Sequence, residues 1–219
     1  MTSLVARAKR RLNETELLRK VRPYTLLTAE KLRNLKRLAA LIDAENIAGD
    51  LVECGTYKGG SAAVLATALT PERHLWLYDS FEGMPEVREI DGEGAKEAVG
   101  LCRADESDVR EVLSLLGVSG EQYTIRKGMF EETFKQPLPG QVALLHCDCD
   151  WYDSVLLVLK SFYPLIPEGG CIILDDFGWW EGTRIAFYDF CDEFGEKPLL
   201  ERIGADQAYW IKGKAHNRG

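Results

Sequence analysis

Two short acidic blocks carry the densest chemistry in this 219-residue chain. His146-Cys147-Asp148-Cys149-Asp150 closes the apolar run Val142–Cys147, and Leu174-Asp175-Asp176-Phe177 closes the run Cys171–Leu174. If the two runs are neighbouring parallel strands, their carboxyl ends lie about 5 Å apart and the four aspartates meet at one crevice. Carboxylates at that range must take up protons or share a cation, and no Lys or Arg stands between residues 136 and 159 to supply one locally. All-oxygen ligation selects Mg²⁺, with Mn²⁺ or Ca²⁺ as substitutes. Asp148 and Asp150 are two residues apart, so a bend at the strand end would separate them and divide metal-holding from proton-accepting work. Any one of these aspartates also reads as a helix cap; all four together do not.

A second constellation is the turn Glu53-Cys54-Gly55-Thr56-Tyr57-Lys58-Gly59-Gly60-Ser61. Position 57 is Tyr where G-x-G-x-x-G needs Gly, and no Lys follows Gly60, so neither a dinucleotide fingerprint nor a P-loop fits. What fits is E-x-G-x-x-x-G: glycines admit an uncharged adenosine-linked chain to the backbone, and the Glu53 carboxylate can face a positive group. S-adenosylmethionine, with its sulfonium and ammonium, suits that pattern. The turn also reads as close helix–strand packing. Asp79 ends the next apolar run 26 residues after Glu53, where an acid accepts hydrogen bonds from a ribose diol or caps the following turn.

Aromatic residues flank the acid set: Trp151, Tyr152, Trp179 and Trp180. Trp179 and Trp180 follow a strand-end loop and offer a face to a sugar or an aromatic ring. His74, His146 and His216 form no cluster, which argues against a histidine-based site.

These residues need a scaffold, and apolar runs alternating with helix-period segments supply a parallel α/β sheet. The expected elements are a helix over Ala29–Ala44, a strand over Leu51–Cys54 and a helix over Ser61–Leu69. A strand over His74–Tyr78, another over Tyr123–Lys127, the two buried runs, and helices over Tyr152–Tyr163 and Thr183–Phe194 follow. Leu199–Ile203 and Ala208–Ile211 close the sheet as an antiparallel pair, giving seven strands. Residues 82–111, with ten acidic and four basic side chains and no evident periodicity, read as a lid. The organisation is therefore a helical arm and lead helix over 1–45, a ligand-binding domain over 46–212 and a frayed tail over 213–219.

Charge narrows the partners. With 27 Lys and Arg against 35 Asp and Glu, the net charge is −8, unlike a general nucleic-acid binder. Residues 1–37 hold eleven basic and three acidic side chains, so the remainder carries −16. A basic arm leading an acidic body favours docking on the body or on a second subunit, hence a homo-oligomer, expected to be a dimer. No run reaches the ~18–20 apolar residues of a membrane span and no signal-peptide core is evident. Six cysteines lie mostly in apolar runs, as reduced thiols of a cytoplasmic protein do; Cys147-x-Cys149 lacks the second pair of a zinc site.

Taken together, five blocks in order resemble the metal-dependent, TylF-type macrocin O-methyltransferase family over residues 22–212. They are Gly49–Gly55, Tyr78–Pro85, Lys127–Phe130, Asp148–Ser154 and Gly169–Asp176. The resemblance implies the seven-stranded, Rossmann-like α/β sheet of class I S-adenosylmethionine-dependent methyltransferases, with an antiparallel last strand. It also implies an Mg²⁺ on Asp148, Asp175 and Asp176, and Asp150 as general base. The expected cofactor residues are Glu53, Gly55, Tyr57, Gly59, Ser61, Asp79, Ser80, Gly128 and Met129; the expected acceptor residues are Trp151, Trp179 and Trp180. The reaction implied is methyl transfer to a sugar hydroxyl of a small natural product, as in antibiotic biosynthesis. The chain departs from the family at Cys149, where Gly is usual, and across 82–111. Three other readings stay open: a catechol acceptor on the same metal site, a nucleotide-sugar glycosyltransferase using Asp148-Cys149-Asp150 as D-x-D, and a non-enzymatic cofactor-binding scaffold acting through its basic N-terminal arm.

Overall fold

A computed structural model describes residues 14–214. Seven strands form one sheet: β1 (Asp50–Cys54), β2 (Leu75–Asp79), β3 (Tyr123–Lys127), β4 (Val142–Cys147), β5 (Cys171–Leu174), β6 (Glu201–Ile203) and β7 (Gln207–Ile211). Their order is β3-β2-β1-β4-β5-β7-β6. Neighbours from β3 to β5 pair parallel, and β7 runs antiparallel to both β5 and β6. The expected fold class and the tail hairpin are both present.

Strand residues alternate between two cores because successive side chains point to opposite faces. Leu51, Leu75, Leu77, Leu144 and Ile173 pack under α1 (Ala29–Ala44), α2 (Gly60–Leu65) and α3 (Glu106–Leu115). Val52, Tyr78, Leu145, Ile172 and Trp210 pack under α5 (Tyr152–Phe162) and α6 (Glu181–Phe194), with the short α4 (Phe130–Thr133) beside them. Both faces are covered, as a parallel sheet requires.

The reversal of strand order falls between β1 and β4, the place where open α/β sheets bind ligands. There the two chains touch. Asp148 N–H donates to the Cys54 carbonyl at 2.8 Å, and a Cβ on Gly55 would stand 1.6 Å from the Asp148 carbonyl oxygen, at a φ of +88°. Only glycine fits that crossing.

One expectation about elements needs correction. Residues 82–111 are not without periodicity: α3 begins inside them at a capping box of Asp105 and Asp108 and buries Val109, Val112 and Leu113 at helical spacing. The acidic content hid that pattern. The stretch before α3 is tied down, with buried Asp91 accepting from the N–H groups of Tyr152 at 2.7 Å and Arg88 at 2.9 Å. Just before the expected frayed tail, Lys212 N–H donates to the Gly170 carbonyl, and Lys212 Nζ bonds the carbonyls of Tyr163 and Ile166; residues 215–219 lie outside the described residues. The arm, too, is partly settled. Residues 14–21 are helical and bury Leu17 and Val21 in the core of their own chain, while residues 1–13 lie outside the described residues.

Candidate active site

A cavity of about 590 Å³ opens at the carboxyl ends of the strands, within the ~300–1,000 Å³ usual for small-molecule sites. Its floor is the acid cluster. Leu174 is paired with Cys147 across β5 and β4, and Asp175 N–H donates to the Cys147 carbonyl at 3.0 Å, so Asp148 and Asp175 leave the sheet side by side. Carboxylate oxygens of Asp148, Asp175 and Asp176 all lie within 4.8 Å of one another.

Asp150 stands beside this triad. Its φ of +61° marks a bend two residues after Asp148, and its carboxyl reaches that of Asp176. Its Oδ1 accepts from Trp180 Nε1 at 2.9 Å, and its carbonyl accepts from the Thr183 hydroxyl at 2.5 Å. Backbone in that region costs a non-glycine residue free energy, and these two contacts hold it there.

The electrostatics divide the cluster. Burial, followed by the charges of its neighbours, pushes Asp148 and Asp176 well above the usual carboxylate range. Burial also raises Asp150. Asp175 goes the other way: burial opposes its charge, but the nearby His146 and the charge and hydrogen bond of Lys31 outweigh it and hold the carboxyl below its usual value.

That support comes from residues the sequence did not single out. Lys31 Nζ donates to Asp175 Oδ2 and to Asp206 Oδ2, each at 2.7 Å, and Gln207 Nε2 donates to Asp175 Oδ1 at 2.7 Å. Asn34 in turn donates to Gln207 Oε1. Thr28 caps α1 by accepting from Lys31 N–H, which sets Lys31 in the first turn, aimed at the site. Each Asp175 oxygen thereby accepts one hydrogen bond and keeps a lone pair for a further ligand. The cation absent between residues 136 and 159 is supplied from α1.

Glu53 is a correction. Paired with His146 across β1 and β4, it is fully buried, accepts from or shares a proton with His146 Nδ1 at 2.8 Å, and lies off the cavity wall. His146, also fully buried and off the cavity wall, supports the site from behind. His146 Nε2 stands 3.9 Å from Asp175 Oδ1, too far for a hydrogen bond and close enough for attraction between charges. Although burial opposes its charge, Asp175 and Glu53 raise His146 to about 9.

At the other end, Gly55, Tyr57, Ser61, Asp79, Ser80, Gly128 and Met129 line the cavity as expected. Gly59 does not: at a φ of +85° its Cα faces Val109 of α3, so it serves helix packing. Thr56, not anticipated, lines the cavity. Asp79 Oδ2 accepts from the N–H groups of Thr56 and Tyr57, both at 2.7 Å, and Oδ1 accepts from Phe81 N–H at 2.6 Å. Three of about four acceptor positions on that carboxylate thus shape the glycine turn and cap the next one, leaving one toward the cavity.

Of the tryptophans, Trp179 and Trp180 line the cavity. Trp151 is a further correction: it is buried, donates from Nε1 to the Pro85 carbonyl at 3.1 Å, and packs against Ala95, Ala98 and Trp180. It anchors the 82–101 stretch instead of meeting a ligand.

The residues fit a divalent cation. Three convergent oxygens, two of them on carboxyls raised by burial and by their like-charged neighbours, form a hard donor set suited to Mg²⁺, Mn²⁺ or Ca²⁺. Cys147 and Cys149 add no soft site to it, their sulfurs meeting each other at 3.4 Å.

Comparison with known proteins bears on the family and the fold. Residues 5–212 match the family model described as Macrocin-O-methyltransferase (TylF). A Streptomyces olivaceus protein named 8-demethyl-8-(2,3-dimethoxy-alpha-L-rhamnosyl)-tetracenomycin-C 4'-O-methyltransferase is 30% identical over 196 residues, covering 85% of this chain and 75% of its own. Demethyldecarbamoylnovobiocin O-methyltransferase of Streptomyces niveus is 28% identical over 197 residues, with the same coverage. Among solved structures, the O-methyltransferase NovP superposes with a TM-score of 0.78 at 26% identity, covering 87% of this chain and 83% of that one.

Proposed function

The chain belongs to the macrocin O-methyltransferase family, and from that premise we propose that it transfers a methyl group from S-adenosylmethionine to a sugar hydroxyl of a small glycosylated natural product. The observation that carries the reading is the Asp148–Asp175–Asp176 triad with Asp150 beside it, on the floor of the cavity that the glycine turn also lines. Relatives at 30% and 28% identity bear names of natural-product O-methyltransferases.

Asp148, Asp175 and Asp176 would hold Mg²⁺, whose chemistry there is to lower the pKa of an acceptor hydroxyl and fix its direction. The donor supplies an electrophilic methyl on sulfur, and in-line displacement needs the acceptor oxygen held opposite that sulfur. Asp150 takes the hydroxyl proton on its carboxylate. The raised pKa of that carboxyl brings it closer to neutrality, which suits a general base, and the Trp180 N–H on Oδ1 keeps it aimed. Lys31 and Gln207 hold Asp175 in one orientation. Asp79 keeps the Thr56–Tyr57 backbone in the shape that receives the adenosine end and offers its remaining acceptor position to the ribose.

The D-x-D glycosyltransferase reading gives way to family membership. A catechol acceptor is the remaining rival. The test is incubation with S-adenosylmethionine, Mg²⁺ and either α-L-rhamnosides or a catechol, with mass spectrometry reading the product. Rhamnosides are chosen because the Streptomyces olivaceus relative's name carries that sugar. The glycoside is expected to gain one methyl, and chelation to abolish the gain; methylation of the catechol alone would overturn the sugar reading.

A further inference from the structure

The antiparallel last strand carries the β6–β7 turn to the site. Leu174 at the end of β5 pairs with Ala208 of β7, so Asp206 and Gln207 arrive where Asp175 and Asp176 leave the sheet. Backbone contact is close there. The Asp206 carbonyl accepts from Gly178 N–H at 2.7 Å, and a Cβ on Gly178 would stand 2.6 Å from Asp206 Cα. That contact braces the turn of Asp176, whose carbonyl accepts from the N–H groups of Trp179 and Trp180 at 3.0 and 3.1 Å.

The Asp206 side chain has a separate task. Its Oδ2 accepts from Lys31 Nζ at 2.7 Å, the same distance at which Lys31 reaches Asp175 Oδ2. Lys31 is buried, and among the described residues that line the cavity it is the one cation. An ammonium that shares a carboxylate with a divalent cation repels that cation, so Lys31 can orient Asp175 only at a cost to the site it serves. Asp206 removes that cost. Its carboxylate is not among the three whose oxygens converge, which leaves its charge to answer that of Lys31.

Resting on the reading that Asp148, Asp175 and Asp176 hold a divalent cation, we infer that Asp206 is a positioning residue for that cation: its carboxylate pins Lys31 against Asp175 and cancels the ammonium charge, so that Asp175 is held without the site being made repellent to Mg²⁺. The β6–β7 turn is therefore part of the cation site although it supplies no ligand. Groups that stand one hydrogen bond behind the ligands commonly change metal affinity by about 10–100-fold when altered.

The test is Mg²⁺ titration by calorimetry into chelator-stripped protein with S-adenosylhomocysteine bound. Asp206→Asn keeps an acceptor for Lys31 and removes the charge. It is expected to weaken Mg²⁺ binding about tenfold or more while S-adenosylhomocysteine affinity and far-UV circular dichroism stay as in the unaltered protein. Adding Lys31→Met to that variant should bring most of the lost affinity back, because the uncompensated ammonium leaves with the lysine. Asp206→Glu, which keeps the charge, should bind Mg²⁺ nearly as the unaltered protein does. Unchanged Mg²⁺ affinity in Asp206→Asn would overturn the inference. A loss that Lys31→Met does not relieve would overturn it too, by making Asp206 a ligand, and so would a parallel loss of S-adenosylhomocysteine binding, by making its role a general structural one. Absence of Mg²⁺ binding by the unaltered protein would instead overturn the cation reading beneath, and this inference with it.

Discussion

Asp150 and Lys31 show what single residues contribute and how differently they announce themselves. Asp150 is two residues from Asp148, on backbone at φ +61°, and we propose that it accepts the proton while its neighbours hold the cation. Replacing it by Asn keeps the shape and removes the proton acceptor. Turnover should fall by about 10²–10⁴-fold, with S-adenosylhomocysteine affinity unchanged by calorimetry; full turnover would remove Asp150 from the chemistry. Lys31 is buried against two carboxylates, and removing one partner of a buried pair leaves the other uncompensated. Lys31→Met should cost about 3–5 kcal/mol of folding stability in chelator, read by urea unfolding, and Mg²⁺ should restore part of it. The four aspartates were legible because strand-end positions and spacing bring them together whatever the details. Lys31 was not: it stands 144 residues from Asp175 on a helix rich in basic residues, where lysines ordinarily face water. Glu53 misled for a related reason, since a strand position says that a side chain faces one side of the sheet but not which buried partner awaits it.

At the scale of elements, the strand order puts the glycine turn and the acid cluster on adjacent strands, and α1 locks the cluster from outside the sheet. Strand and helix positions followed from apolar periodicity, with boundaries moving by one or two residues except at α2, which ends at Leu65 where Leu69 was expected. The stretch before α3 was harder, because its contacts are single buried polar anchors that leave no periodic trace. Asp91 is such an anchor, satisfying Tyr152 and Arg88 N–H groups at once. We propose that this stretch acts as a lid held shut by that carboxylate. Asp91→Ala should speed limited proteolysis within residues 83–102 severalfold relative to the unaltered protein, and S-adenosylhomocysteine with acceptor should slow it again. Identical cleavage patterns would make the stretch a passive part of the wall.

For the whole molecule, an acidic body with a basic leader sets the question of assembly. Residues 14–21 dock on their own chain, which leaves the four basic side chains among residues 1–13 as the segment we propose to reach a second copy. Deleting residues 1–13 should lower the mass measured by light scattering; an unchanged mass would place any dimer contact elsewhere. No described helix is long and apolar enough to cross a membrane. The central claim concerns the acid floor of the cavity, and it can be tested without knowing the acceptor. Mg²⁺ titrated into chelator-stripped protein with S-adenosylhomocysteine bound should occupy one site per chain, and Asp148→Asn or Asp176→Asn should abolish that binding while the fold and S-adenosylhomocysteine affinity remain. Absence of a bound cation in the unaltered protein, or equal binding by both variants, would contradict the account.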